Sequence, residues 1–283
     1  MQRYKIVHQT YYNFSNVVRF APHQMRLRPR ENYQLHVESF SLKITPPASL
    51  LWHLDVEGNS VAIATFDLPA TQLAIESEVI IQQFNETPLD FLVADYAVNY
   101  PFAYLPDDRT LLLPYMAFPD LQTNNRLLDW IADLWQPGQR LQTYTLLQRL
   151  GSHISQTFSY QIREEPGVQN PMQTLTYRSG SCRDFAVLFM ETARCLGLAA
   201  RFVSGYLHSP PSATDYGATH AWVEVYLPGA GWRGFDPTSG EIVGSDHIAV
   251  AVARLPESIP PVAGSFFGTA VSSLDVGVWV TKC

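Results

Sequence analysis

Gly180-Ser181-Cys182-Arg183-Asp184-Phe185 is the stretch on which the reading of this chain turns. After it, Phe185, Leu188, Phe189, Thr192, Cys195 and Leu196 recur at helical spacing, and Gly197 supplies a stop signal. Ser181 with Asp184 three residues on has the form of a capping box. The spacing predicts a buried helix with Cys182 in its first turn. At that end of a helix the aligned peptide dipoles and unpaired N–H groups favour a thiolate over a thiol. The Cys182 N–H is one of those unpaired donors and a natural half of an oxyanion hole. Gly180 is expected to leave room for an approaching acyl group. On this segment alone, a reactive cysteine and a buried structural one are evenly matched.

Two later segments shift that balance. In Thr219-His220-Ala221-Trp222-Val223-Glu224-Val225-Tyr226 the residues alternate, with His220, Trp222, Glu224 and Tyr226 on one face and Val223, Val225 and Leu227 on the core side. A lone histidine in a strand is usually structural. Here a turn at Pro228-Gly229-Ala230-Gly231 leads into Trp232-Arg233-Gly234-Phe235-Asp236-Pro237-Thr238, a return strand that ends in an aspartate. A histidine base needs such a group to fix its tautomer and steady its imidazolium. Direct pairing of Leu227 with Trp232 would set Asp236 opposite Val223, on the wrong face. The hairpin is therefore expected to carry an odd-length connection or a β-bulge between Pro228 and Asp236.

The remainder of the chain supports a two-part organisation. Phe40, Leu42 and Ile44 alternate with polar neighbours, as do Leu73, Ile75, Val79 and Ile81, and Val61–Phe66 is a further strand candidate. Prolines at 88, 101, 106, 114 and 119 argue against regular helices between Thr87 and Asp120. Helical stripes follow at Leu127–Trp135 and Leu146–Ile154, and Thr157–Ile162 turns β-like. The expected division is a β-rich domain over 1–95 and a catalytic domain over 96–283, with the core motifs in 174–240.

Composition narrows the classes. The chain has 283 residues, of which 46% are hydrophobic and 16% charged, enough for a substantial core. Its formal charge of -7 disfavours nucleic-acid binding, and Arg26-Leu27-Arg28-Pro29-Arg30 reads as a strand or turn with solvated arginines. No apolar run reaches the roughly 18 residues a membrane helix needs, and residues 1–8 lack an apolar signal core. Three cysteines, Cys182, Cys195 and Cys283, form no disulfide framework or zinc ribbon. Cys195 and Cys283 read as small buried hydrophobes. A thiol that must stay reduced suits the cytoplasm, and that location is expected. His208, Asp215, His220 and Asp246 match no standard ligand spacing, and no Asp-x-Asp-x-Asp-Gly calcium loop is present, so neither a metal nor a cofactor is expected.

Gly-Ser-Cys-Arg-Asp, Ala200–Tyr206 (Ala-Arg-Phe-Val-Ser-Gly-Tyr), His-Ala-Trp-Val-Glu-Val and Gly-Trp-Arg-Gly-Phe-Asp-Pro-Thr occur in that order. Together they resemble the core of the bacterial transglutaminase-like superfamily. Tyr4–Tyr12 and Leu27-Arg28-Pro29-Arg30 resemble the β-rich extension that precedes this core, and the segment from Asp246-His247-Ile248 to Gly264 resembles the one that follows it. Around Ala249 to Pro256 the family's polar residues are replaced by apolar ones, which bears on the substrate pocket.

The resemblance implies an α+β, papain-like cysteine proteinase fold behind a β-sandwich-like N-terminal domain. It also implies Cys182 as nucleophile, His220 as base and Asp236 as orienting carboxylate. The expected chemistry is acyl transfer from a protein or peptide substrate through a thioester, with hydrolysis favoured over cross-linking to an amine. A non-enzymatic protein-binding module on the same fold is the rival class. Trp222 is equally a packing residue or a substrate contact, and the loop Leu207–Gly217 either lines the cleft or is inert.

Overall fold

Tyr4, Ile6, His8 and Thr10 all turn inward from a single strand, β1 (Gln2–Phe20), while the residues between them stay partly exposed. This is the period-two pattern of a sheet with one buried face. The computed structural model describes residues 1–84, 89–117, 121–163, 165–208 and 219–283. After β1 come β2 (His23–Met25), β3 (Leu35–Thr45), β4 (Ala48–Leu54), β5 (Ser60–Phe66) and β6 (Ala70–Gln83). β1, β6 and β3 form one antiparallel sheet, and β2, β5 and β4 form a second. Val18, Phe20, Met25, Leu27, Ala62, Ala64, Leu73 and Ile75 fill the space between them, giving the expected sandwich-like arrangement.

The arginines at 26, 28 and 30 are not merely solvated. Arg26 lies 3.7 Å from Asp55, Arg28 pairs with Glu31 at 2.8 Å, and Arg30 donates to the Glu57 carbonyl and to Asn59 Oδ1. They tie loops together because the extended segment passes carboxylates and carbonyls on the side it buries.

The core begins with the short pair β7 (Asn99–Tyr100) and β8 (Leu141–Gln142) and the helices α1 (Pro106–Met116), α2 (Leu121–Trp130) and α3 (Thr143–Thr157). The presence of α1 corrects the expectation of no helix in the proline-rich segment. Pro106 sits at the helix start, where its missing N–H has no intrahelical partner to lose, and Pro114 falls in the last turn. β9 (Ser159–Tyr160), α4 (Pro171–Tyr177) and β10 (Ser179–Gly180) lead into α5 (Cys182–Cys195). The remaining core strands are β11 (Ala200–Leu207), β12 (Thr219–Leu227), β13 (Gly231–Asp236), β14 (Glu241–Ile242) and β15 (His247–Ala253), in the spatial order β14-β13-β12-β11-β15.

α5 packs on β12 and β11 and is covered on its other side by the preceding helices. Every residue from Asp184 to Arg194 is buried, so the single buried face read from the periodicity is too narrow. Glu191 and Arg194 make this possible by pairing at 2.7 Å. Arg194 also donates to the carbonyls of Tyr115, Ala200 and Arg254, so neither charge is buried alone.

The chain then returns to the sandwich. β16 (Val262–Ala263) joins β2, while β17 (Phe266–Phe267) and β18 (Ser272–Lys282) pair with β1. We propose residue 95 as the point where the chain enters the catalytic part; residues 262–282 pair with the N-terminal sheets. Tyr206, Ile248 and Val250 of the core sheet meet Tyr4, Ile6, Val79, Ile81 and Val278 across the junction. Asn59 seals the edge of β15 by bonding both the N–H and the carbonyl of Val252. The apolar residues from Ile248 to Ala253 therefore serve this junction, the α5 core and the packing around Trp222, and Pro256 lines the cleft described below.

Candidate active site

The start of α5 is held by one carboxylate. Asp184 Oδ2 accepts from the Ser181 backbone N–H and hydroxyl at 2.8 and 2.9 Å, closing the capping box. Its Oδ1 accepts from the Gln169 N–H and from Arg163 Nη1, both at 2.7 Å. Burial acts to raise the pKa of Asp184, but these donors outweigh it and hold the group below its usual value. Gly180 serves this packing rather than an acyl group, since a Cβ there would lie 2.8 Å from the Cβ of Asp184.

Cys182 is the first residue of α5, where a backbone N–H has no intrahelical acceptor. Its side chain is buried except where it borders a cleft of about 480 Å³. Ser181 and Arg183 flank it there, Thr219, His220 and Ala221 of β12 face it, and Tyr160, Ile162, Val168, Phe202, Ile259 and Pro260 supply most of the apolar wall.

The hairpin register decides whether Asp236 reaches His220. Leu227 pairs with Gly231 and Val223 with Phe235, leaving a three-residue connection, Pro228–Ala230. Its odd length brings Asp236 to the level of Trp222, on the face of His220. Gly229 and Gly231 adopt φ of 82° and 76°, left-handed values that glycine takes without a steric penalty. His220 Nε2 lies 2.9 Å from Asp236 Oδ2, and Asp236 Oδ1 accepts the Thr238 N–H at 2.9 Å. Burial works against the His220 imidazolium, yet Asp236 and the hydrogen-bonded Cys182 side chain raise its pKa to about 10. Burial likewise opposes the Asp236 charge, but His220 and His247 pull that carboxyl far below the usual range.

His247 was missed as a site residue. Its Nε2 lies 3.2 Å from the same Asp236 Oδ2, although it comes from β15, beyond β11. The only sequence signal was its place in the Asp246-His247-Ile248 segment, which carries no chemistry by itself. His220, Asp236 and His247 offer ligand atoms within 4.8 Å of one another, the one such cluster among the described residues. The quartet considered from sequence is not a cluster: His208 pairs with Asp246 at 3.0 Å, apart from His220, and Asp215 lies outside the described residues.

Trp222 is a packing residue, 1% exposed and edge-on to the His247 ring at 5.2 Å. A Cβ on Gly205 would collide with the Trp222 ring and the Ile248 carbonyl, so that glycine lets the strands close beneath it. Most of the Leu207–Gly217 loop, from 209 on, lies outside the described residues. Cys195 is half-buried, but Cys283 is exposed because it lies past the end of the edge strand β18.

An antiparallel sheet against a buried helix that starts at a cysteine, with a β-sandwich before it, is the architecture of a transglutaminase-like cysteine-protease core. Residues 4–82 match the family model of the bacterial transglutaminase-like N-terminal region, and residues 137–237 match that of the transglutaminase-like superfamily. The chain belongs to the bacterial transglutaminase-like superfamily. An uncharacterized protein of Mycobacterium tuberculosis is 29% identical over 290 residues, covering 98% of this chain and 91% of its own length. The crystal structure of a candidate cysteine protease from Cytophaga hutchinsonii has the same fold, with a TM-score of 0.74 at 19% identity, covering 99% of this chain and 90% of that one.

The periplasmic domain of TgpA from Pseudomonas aeruginosa is a more distant match, with a TM-score of 0.38 at 17% identity, covering 82% of this chain and 89% of that domain. The expectation of a cytoplasmic location is not upheld, that domain being a periplasmic one. No helix among the described residues is long and apolar enough to cross a membrane.

Proposed function

We propose that this protein is a cysteine hydrolase acting on protein or peptide amides, with Cys182 as nucleophile, His220 as acid and base, and Asp236 as orienting carboxylate. The observation that carries this reading is the convergence of Cys182 and His220 on one cleft while His220 Nε2 is bonded to buried Asp236. With Nε2 so engaged, Nδ1 is the nitrogen left for the sulfur. The Cys182 sulfur attacks the substrate carbonyl, and the oxyanion forms beside the Cys182 N–H. His220 passes its proton to the leaving nitrogen, the C–N bond breaks, and an amine departs from a Cys182 thioester. Water then gives a proton to His220 and attacks the thioester, releasing a carboxylic acid and restoring the pair. Hydrolysis is favoured because a cleft open to a protein chain also admits water.

The wall of Tyr160, Ile162, Val168, Phe202 and Ile259 suits an apolar side chain on the acyl side of the scissile bond. Arg163 and Arg183 also border the cleft but are committed, Arg163 to Asp184 and Arg183 to the carbonyls of Arg163 and Glu165. The test is turnover of peptides differing at that residue, with and without a primary amine, by wild type and Cys182→Ala. Cys182-dependent hydrolysis that prefers apolar peptides is expected. Amine incorporation outpacing hydrolysis would make the protein a cross-linker, and turnover unchanged in Cys182→Ala would end the proposal.

A further inference from the structure

Asp236 is shared by two imidazoles, and the second, that of His247, is also held by the backbone of Gly244 and by the Trp222 ring. The His247 N–H donates to the Gly244 carbonyl at 3.1 Å, and the Gly244 N–H points back to His247 Nδ1 at 3.3 Å. A backbone N–H can only donate, so Nδ1 must be the unprotonated nitrogen and the proton of the neutral ring must sit on Nε2. That Nε2–H is the atom 3.2 Å from Asp236 Oδ2. The ring is further clamped edge-on to Trp222, which is itself buried.

We propose that His247 is a positioning residue for the reaction inferred above, donating a hydrogen bond to Asp236 that fixes the carboxylate for His220. Oδ2 has two lone pairs. His247 occupies one and leaves the other toward His220 Nε2, while Thr238 holds Oδ1, so the buried carboxylate has no freedom to turn. Sharing the charge between two donors also tempers the hold of Asp236 on the His220 imidazolium, whose Nδ1 proton passes to the leaving nitrogen once in each cycle. The ionisable groups around the pair are His220 from β12, His247 from β15 and Cys182 from α5. Neighbouring Asp246 is turned away to Tyr4 and His208.

This inference rests on the proposed acyl chemistry, and the experiment separates the two. The rate of Cys182 carbamidomethylation by iodoacetamide is followed against pH in a Cys283→Ser background, for otherwise wild-type protein, His247→Phe and His247→Gln. His247→Phe is expected to slow the reaction about tenfold, the worth of one hydrogen bond to a charged group, and to displace the pH profile. His247→Gln, whose amide also donates, should stay within about threefold of wild type with an unshifted profile. Wild-type behaviour in His247→Phe, or a Gln variant as impaired as Phe, would overturn the role of His247 while leaving Cys182 reactive. A Cys182 no more reactive than Cys195 in the unsubstituted site would instead undo the proposed function. If His247→Phe does not fold, 15N spectra of histidine-labelled wild type decide: Nδ1 of His247 unprotonated supports the proposal, and a protonated Nδ1 refutes it.

Discussion

Two buried carboxylates, Asp184 and Asp236, organise the site at the residue scale, and they do different work. Asp184 gathers four donors and fixes the turn that presents Cys182; it faces the helix interior rather than substrate. Replacing it with alanine leaves the Arg163 guanidinium and two backbone N–H groups without their acceptor. The expected loss is about 3–5 kcal/mol, the range for breaking a buried ion pair, measured by urea denaturation. Asp236 is the polar hub of the proposed catalytic face, and its two histidine partners raise the question of a metal. Because Oδ2 already accepts from both rings, prolonged dialysis against EDTA should leave Cys182-dependent turnover unchanged. Activity lost on dialysis and restored by zinc or calcium would reassign the cluster to a metal ion.

At the scale of elements, the account depends on the length of one connection. Pro228–Ala230 has three residues, and that odd number turns Asp236 toward His220. Inserting a single glycine between Arg233 and Gly234 keeps that turn but moves Asp236 on by one position, opposite Ala221 and on the face of Val223. Turnover should fall at least about 100-fold, the scale of a misplaced catalytic group, while circular dichroism remains native. Retained activity would mean that a bulge absorbs the insertion. The helix start and the hairpin were legible in the sequence because they are local: capping, helical period and alternation all act within a few residues. His247 was not legible, because it reaches Asp236 only once β15 has docked beyond β11. The burial of α5 on all sides was equally hidden, since the Glu191–Arg194 pair reads as surface charge until other helices cover it.

The whole molecule is closed by contacts between distant parts of the chain. β18 pairs with β1, and His8 of β1 meets Tyr206 of β11 at 3.0 Å with its other ring nitrogen on Thr10. Burial lowers the pKa of His8 to about 4, well under the ordinary histidine value of about 6.5. The unfolded chain therefore binds the proton more readily, so this contribution is complete above pH 6.5 and is lost as pH falls toward 4. Up to about 3 kcal/mol is involved, and His8→Gln should flatten the decline in urea-derived stability over that interval. An equally steep decline in the variant would place the titrating group elsewhere. The β-rich sandwich followed from alternation in the sequence, and the α+β core from the resemblance of its motifs to the transglutaminase-like superfamily. The return of residues 262–282 to the N-terminal sheets did not, because pairing between strands at opposite ends of the chain leaves no local trace.

The central claim is that Cys182 carries an acyl group, and trapping that group tests it most directly. The protein is mixed with a p-nitrophenyl ester of a short apolar acid and quenched in acid. Intact mass and peptide mapping then locate the adduct. The account predicts a single acyl group on Cys182 within the first turnover, none in Cys182→Ala, and formation slowed about 100-fold or more in Asp236→Asn. Acyl groups appearing on Cys195 or Cys283 as fast as on Cys182, or an unchanged rate in Asp236→Asn, would contradict it.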